Sequence, residues 1–272
     1  MQLESLDSLD LARHVRPGDG VIFQQGCGEA LSVAERFVQQ RASYSGARLF
    51  LGSGFSRSFQ PEHADHLRFS GIGGIGSLRK LASAGALDPI PCHISSIEPL
   101  LRQGVIASDV VMLQVSPPNE RGEYSLGLVN DYVRTAIGRA RVVIAEINRQ
   151  IPWVHCDLPL TAADISVAVE TDRAPLELPP APFGALEQRI AQHIGDLIGD
   201  RSTLQMGIGS VPEAIMSSLA DRRELGIHSG MIGDSAVTLM ECGAVTNAHK
   251  GMDAGVTVSG VLFGTQKLYR YA

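Results

Sequence analysis

Two glycine turns have the residue types and spacing that suit anion binding. Gly26-Cys27-Gly28 and Gly207-Ile208-Gly209 each follow a strand-like run and precede an amphipathic helical stretch. The first turn of a helix offers unpaired N–H groups and a positive dipole end, and glycine lets a ligand approach the backbone closely. Each turn is expected either to bind an anion or to be a tight connection without a ligand. Pro212 lies near the start of the second helix, where its fixed φ is tolerated.

A proline-stiffened loop over residues 116–127 is a second candidate for ligand contact. It follows the buried run 110–115, and ligands of open α/β sheets bind at the carboxyl ends of the strands. Asn119 and Glu120 are predicted to present polar groups there, although a purely structural loop is the alternative. His228, which closes a predicted strand over 225–228, is either a functional group or an ordinary polar residue at a strand end.

Residues 71–76 form a literal G-x-G-x-x-G motif, the pattern of dinucleotide-binding turns. Such a motif should follow a buried strand, and the preceding residues 67–70 are a poor strand. Pro89 and Pro91 also disrupt the second strand that the motif requires. We therefore expect a loop that leads into a helix over 77–84, with a nicotinamide-dependent oxidoreductase as a weak alternative.

The sequence lacks the motifs of several other enzyme classes and of metal sites. The chain has no G-x-S-x-G, Walker or H-E-x-x-H motif, and its eight histidines show no metal-ligand spacing. The four scattered cysteines include no C-x-x-C pair, which argues against a disulfide framework or a zinc site. This pattern favours a location in the reducing cytosol. No metal site is expected.

Composition narrows the class of protein. The 272 residues are 44% hydrophobic, enough for one large domain or two modest ones. A net charge of −6 gives no bulk attraction for nucleic acid or anionic membrane. The acidic N-terminus is unlike a signal peptide, and no apolar run reaches the length of a membrane span. A soluble cytoplasmic protein is predicted.

The pattern of elements predicts an α/β fold. Short apolar, β-branched runs alternate with helical stretches, which indicates a mostly parallel sheet covered on both faces. A proline-dense stretch over residues 176–182 is predicted to be a linker. Strands are predicted over 20–25, 48–51, 110–115 and 141–146, and helices over 30–41 and 185–198.

The segment 201–216 repeats the pattern of the segment 21–31. Both consist of a strand, a Gln-x-Gly-x-Gly turn that begins at Gln24 or Gln205, and an amphipathic helix. The repeat suggests a duplication and a division into a first domain over 1–180 and part of a second over 181–272.

Several segments together resemble the acetyl-CoA hydrolase/transferase family, which includes 4-hydroxybutyrate and acetate CoA-transferases. The resemblance implies two tandem α/β domains of the CoA-transferase type with mostly parallel sheets, the second one truncated. It implies an acyl-CoA:carboxylate CoA-transferase or an acyl-CoA hydrolase. The matching stretches, in family order, are GCGE at 26–29, VSPPNERGEYSLG at 115–127, AEIN at 145–148, GIGSVP at 207–212, LGIHS at 225–229, GAVTN at 243–247 and VLFGTQKLY at 261–269.

The resemblance also implies roles for residues and ligands. A coenzyme A thioester would be a substrate rather than a bound cofactor, and a small carboxylate would accept the CoA. A homo-oligomer, or a partner subunit that completes the second domain, is expected. The implied site has four parts: Gly26, Gly28 and Glu29 on the first-domain side of the cleft; Asn119 and Glu120 at the acyl or CoA groups; Gly207, Gly209 and Pro212 in the second-domain turn; and His228 and Gly230 at the end of the catalytic strand.

One departure from the family pattern bears on the chemistry. The family places a glutamate at the position of Gly230, and that carboxylate attacks the thioester to form a mixed anhydride and then a glutamyl-CoA thioester. Glycine cannot do this. Asp234 or Glu241 would have to replace the carboxylate, or water or the acceptor would react directly while the N–H groups of Gly28 and Gly209 stabilise the oxyanion.

A second departure is length, because family members are considerably longer and this sequence ends within the second domain. A non-catalytic or split subunit that pairs with another chain is therefore the alternative to an active enzyme.

Overall fold

The computed structural model describes residues 1–272, which divide into two compact units. The first unit is Met1–Leu176 and the second is Glu177–Ala272. The division falls inside the predicted linker, where residues 172–184 form no regular secondary structure.

An eight-stranded, all-parallel sheet forms the centre of the first unit. Its strand order is β1-β8-β7-β6-β2-β3-β4-β5. The strands are β1 Gln2–Glu4, β2 Gly20–Phe23, β3 Arg48–Leu51, β4 Arg68–Gly71, β5 Leu87–Pro89, β6 Val110–Val115, β7 Val142–Asn148 and β8 Val167–Thr171.

Both faces of this sheet are buried, which explains why its central strands are continuously apolar. Along β2, Val21 and Phe23 belong to one core cluster and Ile22 belongs to the other. The first cluster includes Phe37 of a helix, whose ring meets Phe23 edge to face at 5.5 Å. Burial of such a ring contributes about 1.5–3 kcal/mol. The helices of this unit are α1 Leu31–Gln39, α2 Arg79–Ser83, α3 Ile94–Arg102 and α4 Val133–Ile137.

The second unit contains a three-stranded parallel sheet in the order β11-β10-β9. Parallel crossovers between successive neighbouring strands are right-handed, so the helices that make them lie on one face of the sheet. The strands are β9 Thr203–Leu204, β10 Gly226–Ile232 and β11 Val258–Leu262, and the helices are α5 Ala185–Gly195, α6 Ser210–Ser217, α7 Asp234–Glu241 and α8 Gln266–Tyr271. The predicted α/β class with mostly parallel sheets is confirmed.

Two local predictions are wrong. The segment 67–70 was expected to be a poor strand, yet Arg68–Gly71 pairs with both β3 and β5, because its polar residues alternate with buried ones. Pro89 does not prevent pairing either, since it ends the short strand β5 at the edge of the sheet. Proline is tolerated at such an edge because no further neighbour needs its missing N–H group.

Candidate active site

A row of buried amides crosses the carboxyl ends of β2, β6 and β7. The Gln24 side-chain oxygen accepts from the backbone N–H of Gln114 at 2.9 Å, and its amide nitrogen donates to the Val129 carbonyl at 2.6 Å. Asn148 donates to the side-chain oxygen of Gln114 at 2.7 Å. All three side chains are buried, and each is satisfied, as buried polar groups must be. This network fixes the loop after β6 at the carboxyl edge of the sheet.

A buried carboxylate caps α1 from within the protein. Glu146 of β7 accepts from the backbone N–H groups of Ser32 at 2.9 Å and Val33 at 3.2 Å. The hydroxyls of Ser32 and Thr171 also donate to it, at 2.8 and 2.9 Å. The positive end of the helix is thus neutralised by an internal anion. The anion site predicted at this helix is therefore wrong for an external ligand, because those N–H groups are already used.

The first glycine turn is packed and its amides are also used. Gly26 donates to the Ser53 carbonyl at 2.8 Å, and Gly28 donates to the Gln25 carbonyl at 3.0 Å. A Cβ on Gly28 would lie 2.8 Å from a methyl carbon of Val129. The hypothesis that the Gly28 N–H stabilises an oxyanion is therefore wrong in this conformation. Close packing explains the glycine at position 28, and a positive φ of 55° explains the one at position 26.

Glu29 lies just after this turn with only 4% of its surface exposed. Burial raises the pKa of Glu29 to about 7, and hydrogen bonds from the side chains of Ser58 and Ser56 partly oppose that rise. The Ser56 hydroxyl donates to Glu29 at 2.9 Å. Beside it is a cavity of about 10 Å³ that Ser53 and Ser77 also line. That is roughly the space one water molecule needs. Because burial raises its pKa to about 7, Glu29 gains or loses its proton near neutral pH.

A second, half-buried carboxyl group lies at the same edge of the sheet. Burial raises the pKa of Asp131 to about 6, although hydrogen bonds from Gln25 and from the Val133 backbone oppose the rise. The Gln25 amide donates to Asp131, and the Gln25 oxygen accepts from the Ser53 hydroxyl at 2.9 Å. Gln25 thus connects the turn after β3 with the start of α4. Neither Gln25 nor Asp131 was predicted from the sequence, since no local motif marks them.

The loop after β6 uses one of its predicted ligand residues internally. The Asn119 side-chain oxygen accepts from the backbone N–H groups of Arg121 at 2.9 Å and Glu123 at 3.0 Å. Its amide donates to the Glu123 carboxylate at 2.9 Å. Asn119 therefore shapes the turn. The Glu120 side chain is exposed and accepts no hydrogen bond from the loop.

The glycine turn of the second unit is open, unlike the first. Gly207 and Gly209 donate no hydrogen bond within the chain, and a Cβ on Gly207 would meet nothing within 4 Å. Gly209 has a φ of 128° and immediately precedes α6, whose third residue is Pro212. Glycine is needed at such a φ. These amides remain available to an anion or a developing oxyanion.

His228 and Gly230 lie side by side on β10, both exposed. The strand continues to Ile232, so the prediction that they mark its end is wrong. Residues two apart on a strand share a face. Between them, Ser229 is buried and accepts from the Met206 N–H at 3.1 Å. A Cβ on Gly230 would meet nothing within 4 Å, so the strand has room for a longer side chain there.

The two carboxylates considered as replacements are both occupied elsewhere. Asp234 is buried and accepts from the backbone N–H of Thr265 at 2.9 Å and from its hydroxyl at 2.6 Å. It therefore ties the start of α7 to the start of α8. Glu241 pairs with Lys267 at 3.0 Å. Neither offers an unengaged carboxylate.

The G-x-G-x-x-G segment packs as a structural loop. The Ser77 N–H donates to the Gly54 carbonyl at 2.7 Å, and a Cβ on Gly76 would lie 2.0 Å from the same oxygen. The helix that follows, α2, has only five residues. This geometry lacks the long helix whose N-terminus binds a pyrophosphate.

No group of three or more His, Cys, Asp or Glu side chains is arranged to hold a metal ion, and none of the four cysteines forms a disulfide. No helix combines the length and the apolar character that crossing a lipid bilayer requires.

Comparisons with known proteins match both the chain and its fold. The family profile described as the acetyl-CoA hydrolase/transferase N-terminal domain matches residues 5–177. The 4-hydroxybutyrate coenzyme A transferase of Clostridium kluyveri is 32% identical over 253 residues, which are 92% of this chain and 59% of that protein. The succinyl-CoA:cyclohexane-1-carboxylate CoA transferase of Geobacter metallireducens is 27% identical over 97% of this chain and 60% of its own length. This chain thus spans about 60% of the length of these relatives.

Solved structures of similar fold include a CoA-transferase. The crystal structure of a 4-hydroxybutyrate CoA-transferase from Porphyromonas gingivalis superposes with a TM-score of 0.83 at 27% identity, covering 99% of this chain and 64% of that one. RipA from Yersinia pestis gives 0.91 at 23% identity, covering 99% of this chain and 65% of its own, a likeness that concerns the fold alone.

Proposed function

Because the chain belongs to the acetyl-CoA hydrolase/transferase family, we propose that it binds a short-chain acyl-CoA thioester and either transfers the CoA to a small carboxylate or hydrolyses the thioester with water. The observation that carries this proposal is the exposed pair His228 and Gly230 on β10, in a chain whose relatives are CoA-transferases. In this proposal, residues 1–180 and 181–272 are the two domains of the enzyme.

The open turn of the second unit supplies the oxyanion site in this proposal. Gly207 and Gly209 have unused N–H groups, and Pro212 holds the first turn of α6 behind them. Backbone donors of this kind stabilise the negative charge that develops on a thioester oxygen. Gly26 and Gly28 instead shape the first-unit turn that positions Glu29, and the exposed Glu120 is the member of the 116–127 loop that can reach a ligand.

The open space at Gly230 favours direct chemistry over a covalent enzyme intermediate. In direct transfer, the acceptor carboxylate attacks the thioester carbon and the CoA thiolate leaves, forming a mixed anhydride. The thiolate then attacks the acceptor's carbonyl carbon and the original acyl group departs as a carboxylate. In hydrolysis, water attacks the thioester carbon, its proton passes to the His228 imidazole, and the CoA thiolate leaves. Because Gly230 supplies no carboxylate to form an acyl-enzyme anhydride, the hydrolytic route is favoured here.

Thioester turnover on the purified chain tests this function. Acetyl-CoA is supplied with and without a carboxylate acceptor, and free thiol and new acyl-CoA are followed separately. New acyl-CoA indicates transfer, and thiol release alone indicates hydrolysis. Absence of both from a chain that circular dichroism shows to be folded would overturn the proposal for this chain alone.

A second candidate is a subunit that needs a further chain for activity. One observation favours it: His228 and Gly230 lie exposed on a three-stranded sheet whose crossover helices occupy the other face. Parallel sheets are normally covered on both faces. Under this candidate the chain associates with a partner or with a copy of itself, which light scattering would detect, and activity appears only in the complex.

A further inference from the structure

A groove of about 700 Å³ lies in the first unit, near the amino-terminal ends of β3 and β4. Its lining includes Arg48 and Arg68, with Phe50 and Ile106 below them and Val105 at the rim. We name it the basic groove. Its size falls within the range of small-molecule sites. The amides and carboxyls described above lie at the opposite, carboxyl ends of the strands, so the basic groove is a separate feature.

The two arginines occupy the same position on neighbouring strands. Arg48 and Arg68 are direct register partners in the β3–β4 ladder. Residues so paired point to the same face of the sheet, and adjacent strands are about 4.8 Å apart. Like charges placed opposite each other are destabilising. The fold therefore places two positive charges side by side, and their repulsion lowers its stability.

No acidic side chain offsets that charge within ion-pairing distance. Neither guanidinium has a carboxylate oxygen within 4.0 Å, whereas Arg41 and Arg141 each do. Arg48 donates through Nε to the Gly18 carbonyl, and Arg68 donates through Nη1 to the carbonyls of Ala64 and Leu67. Both Nη groups of Arg48, and Nε and Nη2 of Arg68, have no acceptor in the protein. These donors suit a carboxylate, which guanidinium groups bind with matched geometry.

The rest of the groove selects the kind of anion. The next row of the same face contains Phe50, Ser70 and Asp88, which are register partners in turn. Asp88 gives the lining one negative charge against two positive ones, which disfavours phosphates with several charges. Phe50 and Ile106 form an almost fully buried floor and Val105 is 62% exposed, so most of the apolar surface open to a ligand lies at Val105.

We infer that the basic groove binds an amphipathic organic monoanion: a carboxylate held by Arg48 and Arg68, with an apolar chain lying over Phe50, Ile106 and Val105. This ligand offsets the like-charge pair and covers the exposed apolar rim. The inference is independent of the proposed reaction, since no residue of the basic groove belongs to the candidate active site.

Calorimetric titration with octanoate tests this inference on the full chain. We expect saturable binding with a Kd below about 1 mM, and affinity at least about tenfold weaker (~1.4 kcal/mol) in the double variant R48Q/R68Q. The matched control is R13Q/R16Q, which removes two exposed arginines elsewhere in the same unit and should change the affinity by less than about twofold. Octan-1-ol and acetate, which each lack half of the ligand, should bind far more weakly.

Thermal stability is a second readout, which distinguishes an arginine pair that repels from one that stabilises the fold. Without ligand, R48Q/R68Q should unfold at a higher temperature than the wild type because it loses the repulsion. If the double variant does not fold, Val105→Glu at the rim tests the same groove by repelling the anion. The inference is overturned if octanoate shows no saturable binding, if R48Q/R68Q binds it as well as the wild type, if the control loses as much affinity, or if octan-1-ol binds equally.

Discussion

The two Gln-x-Gly-x-Gly turns have the same local sequence pattern and different surroundings. In the first unit, Gly26–Gly28 is packed, its amides are hydrogen bonded, and the helix behind it is capped by Glu146. In the second unit, Gly207 and Gly209 are open and their amides have no acceptor in the chain. In the first unit the carbonyls of Ser53 and Gln25 accept from the glycine amides, and Glu146, 114 residues from Ser32 in the sequence, caps the helix.

A helix N-terminus can therefore serve structure or ligand binding with the same turn in front of it. Where the protein supplies its own anion, the turn stabilises the fold. Where it does not, the same N–H groups remain available for chemistry. The first unit thus positions groups through a closed network, and the second presents an open strand and turn.

Introducing a carboxylate in the open region should have the largest effect on activity. Gly230→Glu is expected to raise the rate of transfer from acetyl-CoA to a carboxylate by at least about a hundredfold, ~2.7 kcal/mol in activation free energy, because it supplies the nucleophile. A Cβ at this position meets nothing within 4 Å, so the variant should fold. Mass spectrometry of the reacting protein should detect a covalent CoA adduct.

The matched control is Gly230→Gln, which has the same size and no carboxylate. It should show neither the adduct nor the gain in transfer. Equal activity of the two variants would contradict the assignment of position 230 to the reacting centre.

Removing the internal anion of the closed region should have the largest effect on stability. Glu146→Ala leaves two backbone N–H groups and two hydroxyls without their acceptor. We expect the free energy of unfolding to fall by about 3–5 kcal/mol, since each buried unsatisfied donor is costly. Urea denaturation measures this loss.

Sulfate should recover part of that stability in the Glu146→Ala variant and little in the wild type, because the uncapped helix then binds an external anion. Glu170→Ala, an exposed carboxylate on the neighbouring strand, should change stability by less than about 0.5 kcal/mol. A Glu146 variant as stable as this control would mean that the cap contributes nothing.

Glu29 gives the closed region a pH dependence. Burial raises the pKa of Glu29 from its model-compound value of 4.5 to about 7, so the folded state holds a proton that the unfolded state releases. Stability from this group is therefore complete below pH 4.5 and declines until about pH 7, by about 3 kcal/mol in total at about 1.4 kcal/mol per pKa unit. Above pH 7 the difference is constant.

Glu29→Gln should remove that decline. Urea denaturation from pH 4.5 to 8 should show the variant becoming progressively more stable relative to the wild type, with a plateau above pH 7. Asp131 remains in both proteins, so its own raised pKa cancels in the comparison. Parallel pH profiles for the two proteins would show that Glu29 titrates normally.

Much of this fold was accessible from the sequence because strong local patterns agree with it. The runs at 110–115 and 141–146 are apolar and β-branched, as strands buried on both faces must be. The strand over Arg68–Gly71 was missed because two of its four residues are polar. One of them, Arg68, lines the basic groove, which explains why a charged residue stands in this strand.

The site was harder to predict, because its decisive contacts are long-range. The predicted strand over 141–146 includes Glu146, and the structure extends it to Asn148; both side chains are buried, and buried polar groups must find partners. Those partners are Ser32 and Gln114, which no spacing rule connects to them. Ser229 and Gly230 look like turn residues, yet they lie within β10, where one is buried and the other exposed.

The smallest and most direct test compares alanine at the two turns. Gly28→Ala places a methyl group 2.8 Å from Val129 and 2.9 Å from Gln24, so we expect a loss of about 1–3 kcal/mol in unfolding free energy. Gly207→Ala meets nothing within 4 Å and should stay within about 0.5 kcal/mol of the wild type. Because the added methyl lies where an acyl-CoA would approach the free amides, the same variant should slow thioester turnover. Equal stability losses would mean that both turns are packed alike, and unchanged turnover in Gly207→Ala would remove that turn from the reacting site.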